Sequence, residues 1–235
     1  MYISFCIPTT TKNRDWKNIE ESYIYKYLLN TLPITTKYFI TIYFGIDYDD
    51  YLIKNNKQKI IKDFYNKFKN IKIKFYEYNE SGNVCHIWNE LYKESITDNE
   101  VNNAYFWIVG DDIDYSKILD YKWLDDSIKK LSQNNDIGIS GCYNGNPNLP
   151  MTQFLISKKH YEIFNFIFPK SIKNWYCDNY LLELYGNKYC YYLNQYTLLN
   201  SGGKPRYEII DAKRVYKIEV KRNKPKLRNY INKNL

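Results

Sequence analysis

Tyr105-Phe-Trp-Ile-Val-Gly-Asp-Asp-Ile-Asp114 carries more of the fold and the chemistry than any other stretch of the chain. Tyr105 to Val109 form an unbroken apolar run, the pattern of a strand buried on both faces. The chain then turns at Gly110 and presents Asp111, Asp112 and Asp114 in quick succession. Ionised carboxylates repel one another and are costly to desolvate. At the mouth of a buried strand such a cluster needs a partner, and a hard divalent cation is a natural one. Mg²⁺ and Mn²⁺ take oxygen ligands and often bridge one or two carboxylates to substrate phosphates.

Working outward, residues 2–7 read as a buried first strand that stops at Pro8. Residues 38–46 form a second, rich in β-branched and aromatic side chains, ending in Asp47, Asp49 and Asp50. Asp49 and Asp50 read as solvated. A third strand spans 71–76, and helices are expected over 18–29, 52–68 and 123–131. A further helix starts near Gly82, with Val84, Ile87, Trp88 and Leu91 at the spacing of a buried stripe. His86 lies one residue off that stripe and reads as an ordinary helix residue. A strand over 137–142 precedes Asn144-Gly-Asn-Pro-Asn-Leu-Pro150, which is turn chemistry and a loop over the site. Strands alternating with helices imply a mainly parallel α/β sheet. Ligands bind such sheets beyond the carboxyl ends of the strands, so Asp47 and the Asp111 cluster should share one crevice.

Composition narrows the class. The 235 residues suit one domain. The 27 tyrosines, with abundant Lys, Asn and Ile, match AT-rich coding, as in an AT-rich virus or protist. No apolar run approaches the roughly 20 residues of a membrane span, and the N-terminus lacks a signal-peptide pattern. The expectation is an unprocessed cytoplasmic chain. Five cysteines without a C-x-x-C pair argue against a zinc site or disulfide framework. Two histidines, His86 and His160, leave little room for His-based metal sites or Ser-His-Asp chemistry. Residues 211–235 hold nine basic and two acidic side chains, a net +7 of the chain's +8. They read as a solvated basic tail suited to an anionic membrane, RNA or an acidic glycan. The nearly neutral body, 1–210, offers no specific nucleic-acid face.

An opening strand ending in Pro-Thr, a second ending in an acidic residue and a hydrophobic strand leading into Gly-Asp-Asp-Ile together resemble the donor-binding half of a GT-A glycosyltransferase. The segments Thr152-Gln-Phe-Leu-Ile-Ser-Lys-Lys-His-Tyr-Glu-Ile-Phe164, Phe168-Pro, Asn174-Trp-Tyr-Cys-Asp-Asn-Tyr180 and Leu184-Tyr-Gly186 are similar to a poorly characterised group of such enzymes from large DNA viruses, protists and algae. The resemblance covers roughly residues 2–200. It implies a GT-A (Rossmann-like) fold with a donor half over about 1–115 and an acceptor half over about 116–210. It also implies transfer of a sugar from a nucleoside-diphosphate donor, a UDP-sugar first among them, to a hydroxyl of a glycan or glycoprotein.

Carried over by position, Pro8, Thr9, Thr10 and Arg14 line the nucleotide pocket, and Asp47 contacts the base or ribose. Asp111 meets the ribose or donor sugar. Asp112 binds the metal, Mn²⁺ or Mg²⁺, with Asp114 a second-rank ligand. Asp178 stands beside the acceptor. Relatives often supply a late His to the metal, and this chain has none after His160.

The chemistry is consistent with those roles. A departing diphosphate gains negative charge, which a divalent metal stabilises by several kcal/mol. Lys204 and Arg206, in Gly202-Gly-Lys-Pro-Arg-Tyr207, add positive charge. A carboxylate base, Asp178, takes the acceptor proton, while Trp175, Tyr176 and Asn179 hold the acceptor. A dedicated base of this kind suggests inversion at the anomeric carbon. Helix capping by Asp178 and simple core packing of Trp175 are the plain structural alternatives. Two other functions fit parts of the pattern: a non-catalytic sugar- or nucleotide-binding module, and a metal-dependent nucleotidyltransferase, because Gly-Asp-Asp also marks polymerase palms.

Overall fold

The computed structural model describes residues 1–98, 103–146 and 150–234. Pro147, Asn148 and Leu149, the centre of the expected loop over the site, lie outside the described residues. Seven strands make the central sheet: β1 (Tyr2–Thr9), β2 (Phe39–Asp47), β3 (Ile71–Tyr78), β4 (Asn103–Ile108), β6 (Ile139–Tyr143), β7 (Phe154–Ser157) and β8 (Cys190–Thr197). Two short strands, β5 (Ile113–Asp114) and β9 (Leu199–Asn200), pair with each other beside it. The sheet order is β3-β2-β1-β4-β7-β6-β8. β7 runs antiparallel to both its neighbours, and all other pairings in the sheet are parallel. The expected mainly parallel α/β architecture is therefore present.

Period-2 alternation divides the core between the two faces of the sheet. Ile3, Phe5 and Ile7 of β1 and Trp107 of β4 pack with α1 (Tyr51–Lys67) and α3 (Lys122–Ser132). Cys6, Phe106 and Ile108 point the other way, toward α2 (Val84–Thr97), α4 (Lys158–Phe164) and α5 (Cys177–Tyr189). The stripe on α2 is buried at Ile87 and Leu91, as its spacing predicts. Trp88 of that stripe donates its indole N–H to the carbonyls of Cys6 and Val109, both at 3.2 Å, and so ties α2 to the ends of β1 and β4.

Three sequence readings need correction. The helix expected over 18–29 is a 3-10 turn, Ile19–Glu21, followed by a π-helical segment, Ile24–Leu29. Asp50 is buried, not solvated: it caps α1 through the Ile53 amide and accepts from the amide and hydroxyl of Thr11. Asp49 does remain exposed. The basic tail is a helix, α6 (Lys213–Asn234), packed on α4 and α5. Tyr216, Glu219, Val220, Asn223 and Leu227 make its buried face.

His160 is wholly inside, sharing a 2.7 Å hydrogen bond with Tyr185. Burial pulls its pKa down to about 4. The neutral ring is therefore the folded form. The stability it contributes is present above the usual His pKa and is lost as pH falls through about 4. His160→Gln should flatten the acid limb of denaturation midpoint against pH in that window. An unchanged limb would assign acid sensitivity elsewhere.

Candidate functional site

β1 lies between β2 and β4, so the chain leaves it in opposite directions at a topological switch point. The residues predicted to act meet at the carboxyl ends of these strands. Thr9 donates to Asp111 at 2.6 Å and Thr10 to Asp47 at 2.8 Å. Burial pushes Asp47 up, opposed by the bond from Thr10 and by Lys12. Pro8, Thr9, Thr10 and Asp47 line a small recess of about 50 Å³, closed on its far side by Arg206 and Tyr207.

A larger cavity of about 480 Å³ opens beside it, within the range of small-ligand sites. Asp112 lies in one wall. Trp175, Tyr176, Asp178 and Asn179 from the start of α5 also line the cavity, as do Lys204 and Arg206 from the 202–207 segment. Residues 66 positions apart in sequence, the acid after β4 and the acid at the start of α5, thus face one space.

The 201–207 segment is strapped over the strand ends. Ser201 donates its amide to the Asp112 carbonyl at 2.9 Å. Gly202 passes so close that a Cβ there would sit 2.0 Å from Asp112 Oδ2, which is why a larger residue does not fit. Arg14 holds the segment through the carbonyls of Gly202 and Lys204. It is therefore a fastener for the strap, and it lines neither cavity.

Arg206 reaches the Thr10 carbonyl at 2.9 Å and grips both oxygens of Asp111, one at 2.7 Å. Asp111 is completely buried. Its carboxylate is spent on Arg206 and Thr9, so it fixes a cation in place and does not face a sugar, contrary to the sequence reading. Asp112 keeps 22 % side-chain exposure and lies 3.9 Å from Arg206, beyond a good hydrogen bond. Burial, with the neighbouring Asp111 charge added, pushes its pKa up to about 6 despite Arg206. Asp112 is the under-compensated anion of the site.

Asp114 is not among the residues that line either cavity. Its carboxylate closes a turn on the Ser116 amide at 2.8 Å, because alternation on β5 sends Ile113 toward the cavity and Asp114 away. Among the described residues no three His, Cys, Asp or Glu side chains converge on one metal position. A closed protein cage for a metal is thus not what these residues offer. A single carboxylate, Asp112, open to a cavity, does suit a cation that takes its other ligands from phosphate and water.

Tyr176, the residue that caps the start of α5, is in a left-handed conformation, φ 68°. Such strain in a bulky residue costs about 1–3 kcal/mol and collects at functional sites. The Tyr176 ring is held by stacking on Tyr216 of α6, 5.6 Å between centroids at 9°. The turn aims Asp178 at the cavity, with Oδ1 accepting the Asn179 amide at 2.8 Å. Burial pushes Asp178 up, partly offset by that amide bond. Trp175 is 45 % exposed at the rim.

Sequence reasoning assigned no role to Asn174. It is buried, donates to the carbonyls of Gly82 and Glu208, and accepts from the amides of Trp175 and Ile210. One amide side chain thereby fixes the turn before α5, the entry to α2 and the strap. Its only trace in the sequence is its place before Trp175. Comparison with protein-family models and with curated proteins finds no match to this chain.

Proposed function

We propose that the chain is a GT-A-type glycosyltransferase moving a sugar from a nucleoside-diphosphate donor, a UDP-sugar first among candidates, to a hydroxyl of a glycan or glycoprotein. The observation that carries this reading is that Asp112, Asp178, the cationic Lys204 and Arg206 and the exposed Trp175 line one cavity. The nucleoside would occupy the Pro8–Asp47 recess, which the strap narrows. The diphosphate would lie by Asp112, Lys204 and Arg206, and the acceptor by Trp175, Tyr176 and Asn179. Asp178 would take the acceptor proton, and its raised pKa makes it a better base than an exposed carboxylate. Attack from the side opposite the diphosphate gives inversion at the anomeric carbon.

Mn²⁺ or Mg²⁺, held by Asp112, would supply charge stabilisation of the leaving diphosphate. Without a metal, Lys204 and Arg206 remain the cations of the donor side. The ion pair between Asp111 and Arg206 counts against a two-metal nucleotidyltransferase, which would need that carboxylate free.

Asp112→Asn should abolish the Mn²⁺-dependent increment of nucleoside-diphosphate binding in calorimetry, with the melting temperature unchanged or raised. A raised temperature is expected because the variant removes a partly buried, under-compensated anion. Unchanged affinity in Mn²⁺ would remove Asp112 from the metal assignment.

A further inference from the structure

The geometry points to the outer face of α6 as a docking surface for an anionic lipid membrane. Arg214, Lys217, Lys221, Lys224 and Arg228 are exposed at i, i+3, i+4 spacing, so they form one stripe along the helix. At 3.6 residues per turn the stripe runs along the flank of the packed face of Tyr216, Val220 and Leu227. The helix is thus fixed by one side and presents the other to solvent.

Acidic groups nearby do not neutralise the stripe. Glu219 is buried and shared between Arg222 and Ser171. Glu162 of α4 is taken by Lys159, and Tyr230 donates to it. Glu183 of α5 lies by Tyr216, on the packed side. Asp211 caps the helix start through the Lys213 amide.

Two further features favour a lipid surface over RNA. Ile218 sits within the basic face at 57 % exposure, an apolar group poised to enter a headgroup layer. No aromatic ring stands exposed on this helix, whereas single-stranded nucleic acid is bound by stacking on aromatics in a groove. Basic residues near an anionic leaflet each add to the affinity, and the attraction decays within a Debye length. Pro225 also lies on this outer face, where the carbonyl of Lys221 that loses its helical donor can be solvated.

The full-length chain should co-sediment with phosphatidylserine-rich vesicles and not with pure phosphatidylcholine vesicles, and raising the salt should weaken binding. Reversing four charges, K217E/K221E/K224E/R228E, should weaken vesicle binding by more than roughly 100-fold at an unchanged melting temperature. The corresponding glutamine variant serves if the reversal impairs folding, with a smaller loss in the same direction. Ile218→Asn should weaken vesicle binding by at least about threefold while leaving heparin binding unaltered.

The proposal is overturned by wild-type vesicle binding in the charge variants, by tighter binding to poly-uridine RNA than to vesicles, or by indifference to Ile218→Asn. None of these readouts depends on catalysis, so failure here leaves the transferase reading untouched, and the converse holds too.

Discussion

Asp178→Asn should lower sugar transfer by about 10²–10⁴-fold, the usual contribution of a positioned general base. Binding of nucleoside diphosphate should stay within about twofold, because the proposed mechanism places Asp178 on the acceptor and not on the diphosphate. Asn keeps the shape and an acceptor oxygen for the Asn179 amide, so the start of α5 should survive. The competing account, in which Asp178 only caps the helix, predicts the reverse pattern: near-normal turnover per folded molecule and a lowered melting temperature. The acid limb of the transfer rate carries a second signature. Asp178 must be ionised to act, and burial raises its pKa, so transfer should decline as pH falls through that raised value. A variant keeping more than about a third of wild-type turnover would remove Asp178 from the mechanism, and the argument for inversion with it.

Deleting α6 should have the largest effect on stability. Tyr216, Val220 and Leu227 are each at least nine-tenths buried. Burial of side chains of this size stabilises by about 1.5–3 kcal/mol each, roughly 5–9 kcal/mol together as an upper figure. That is comparable with the whole stability of a typical domain. The loss also strips the Tyr216 ring from Tyr176 and frees the strained turn before Asp178. A chain ending at Ala212 should therefore show a greatly lowered denaturation midpoint and lose donor binding and transfer alike. Wild-type stability in that truncation would restore the reading of a solvated tail.

The contrast between α6 and β4 explains what the sequence could tell. β4 is apolar on both faces, so a continuous run marks it, and the turn chemistry of Gly110 marks its end. α6 buries one narrow side, and that side includes Glu219 and Asn223. Its apolar period is diluted by lysines, and Pro225 reads as a helix breaker. The candidate site was legible where a residue lines a cavity near its own strand or helix end: Asp47, Asp112, and Asp178 at the start of α5. It was illegible where the arrangement depends on contacts made across the fold. Arg206 meets Asp111 from 95 positions away and changes that carboxylate from a free ligand into an anchor. Arg14 fastens the strap from 190 positions away, and nothing in its local sequence marks that use. Asp114 ranked behind Asp112 as a ligand in the sequence, and in the structure its carboxylate closes a turn on the Ser116 amide.

The central claim is that the paired cavities hold a nucleotide sugar for transfer. Its most direct test is to incubate the purified chain with a panel of UDP-, GDP- and other sugar nucleotides in Mn²⁺, without acceptor, and measure nucleoside diphosphate released to water. Release above the buffer rate is predicted from at least one donor, falling to background with Asp112→Asn. No release from any donor, together with incorporation of labelled nucleotides on a primed template, would contradict the account and favour a nucleotidyltransferase.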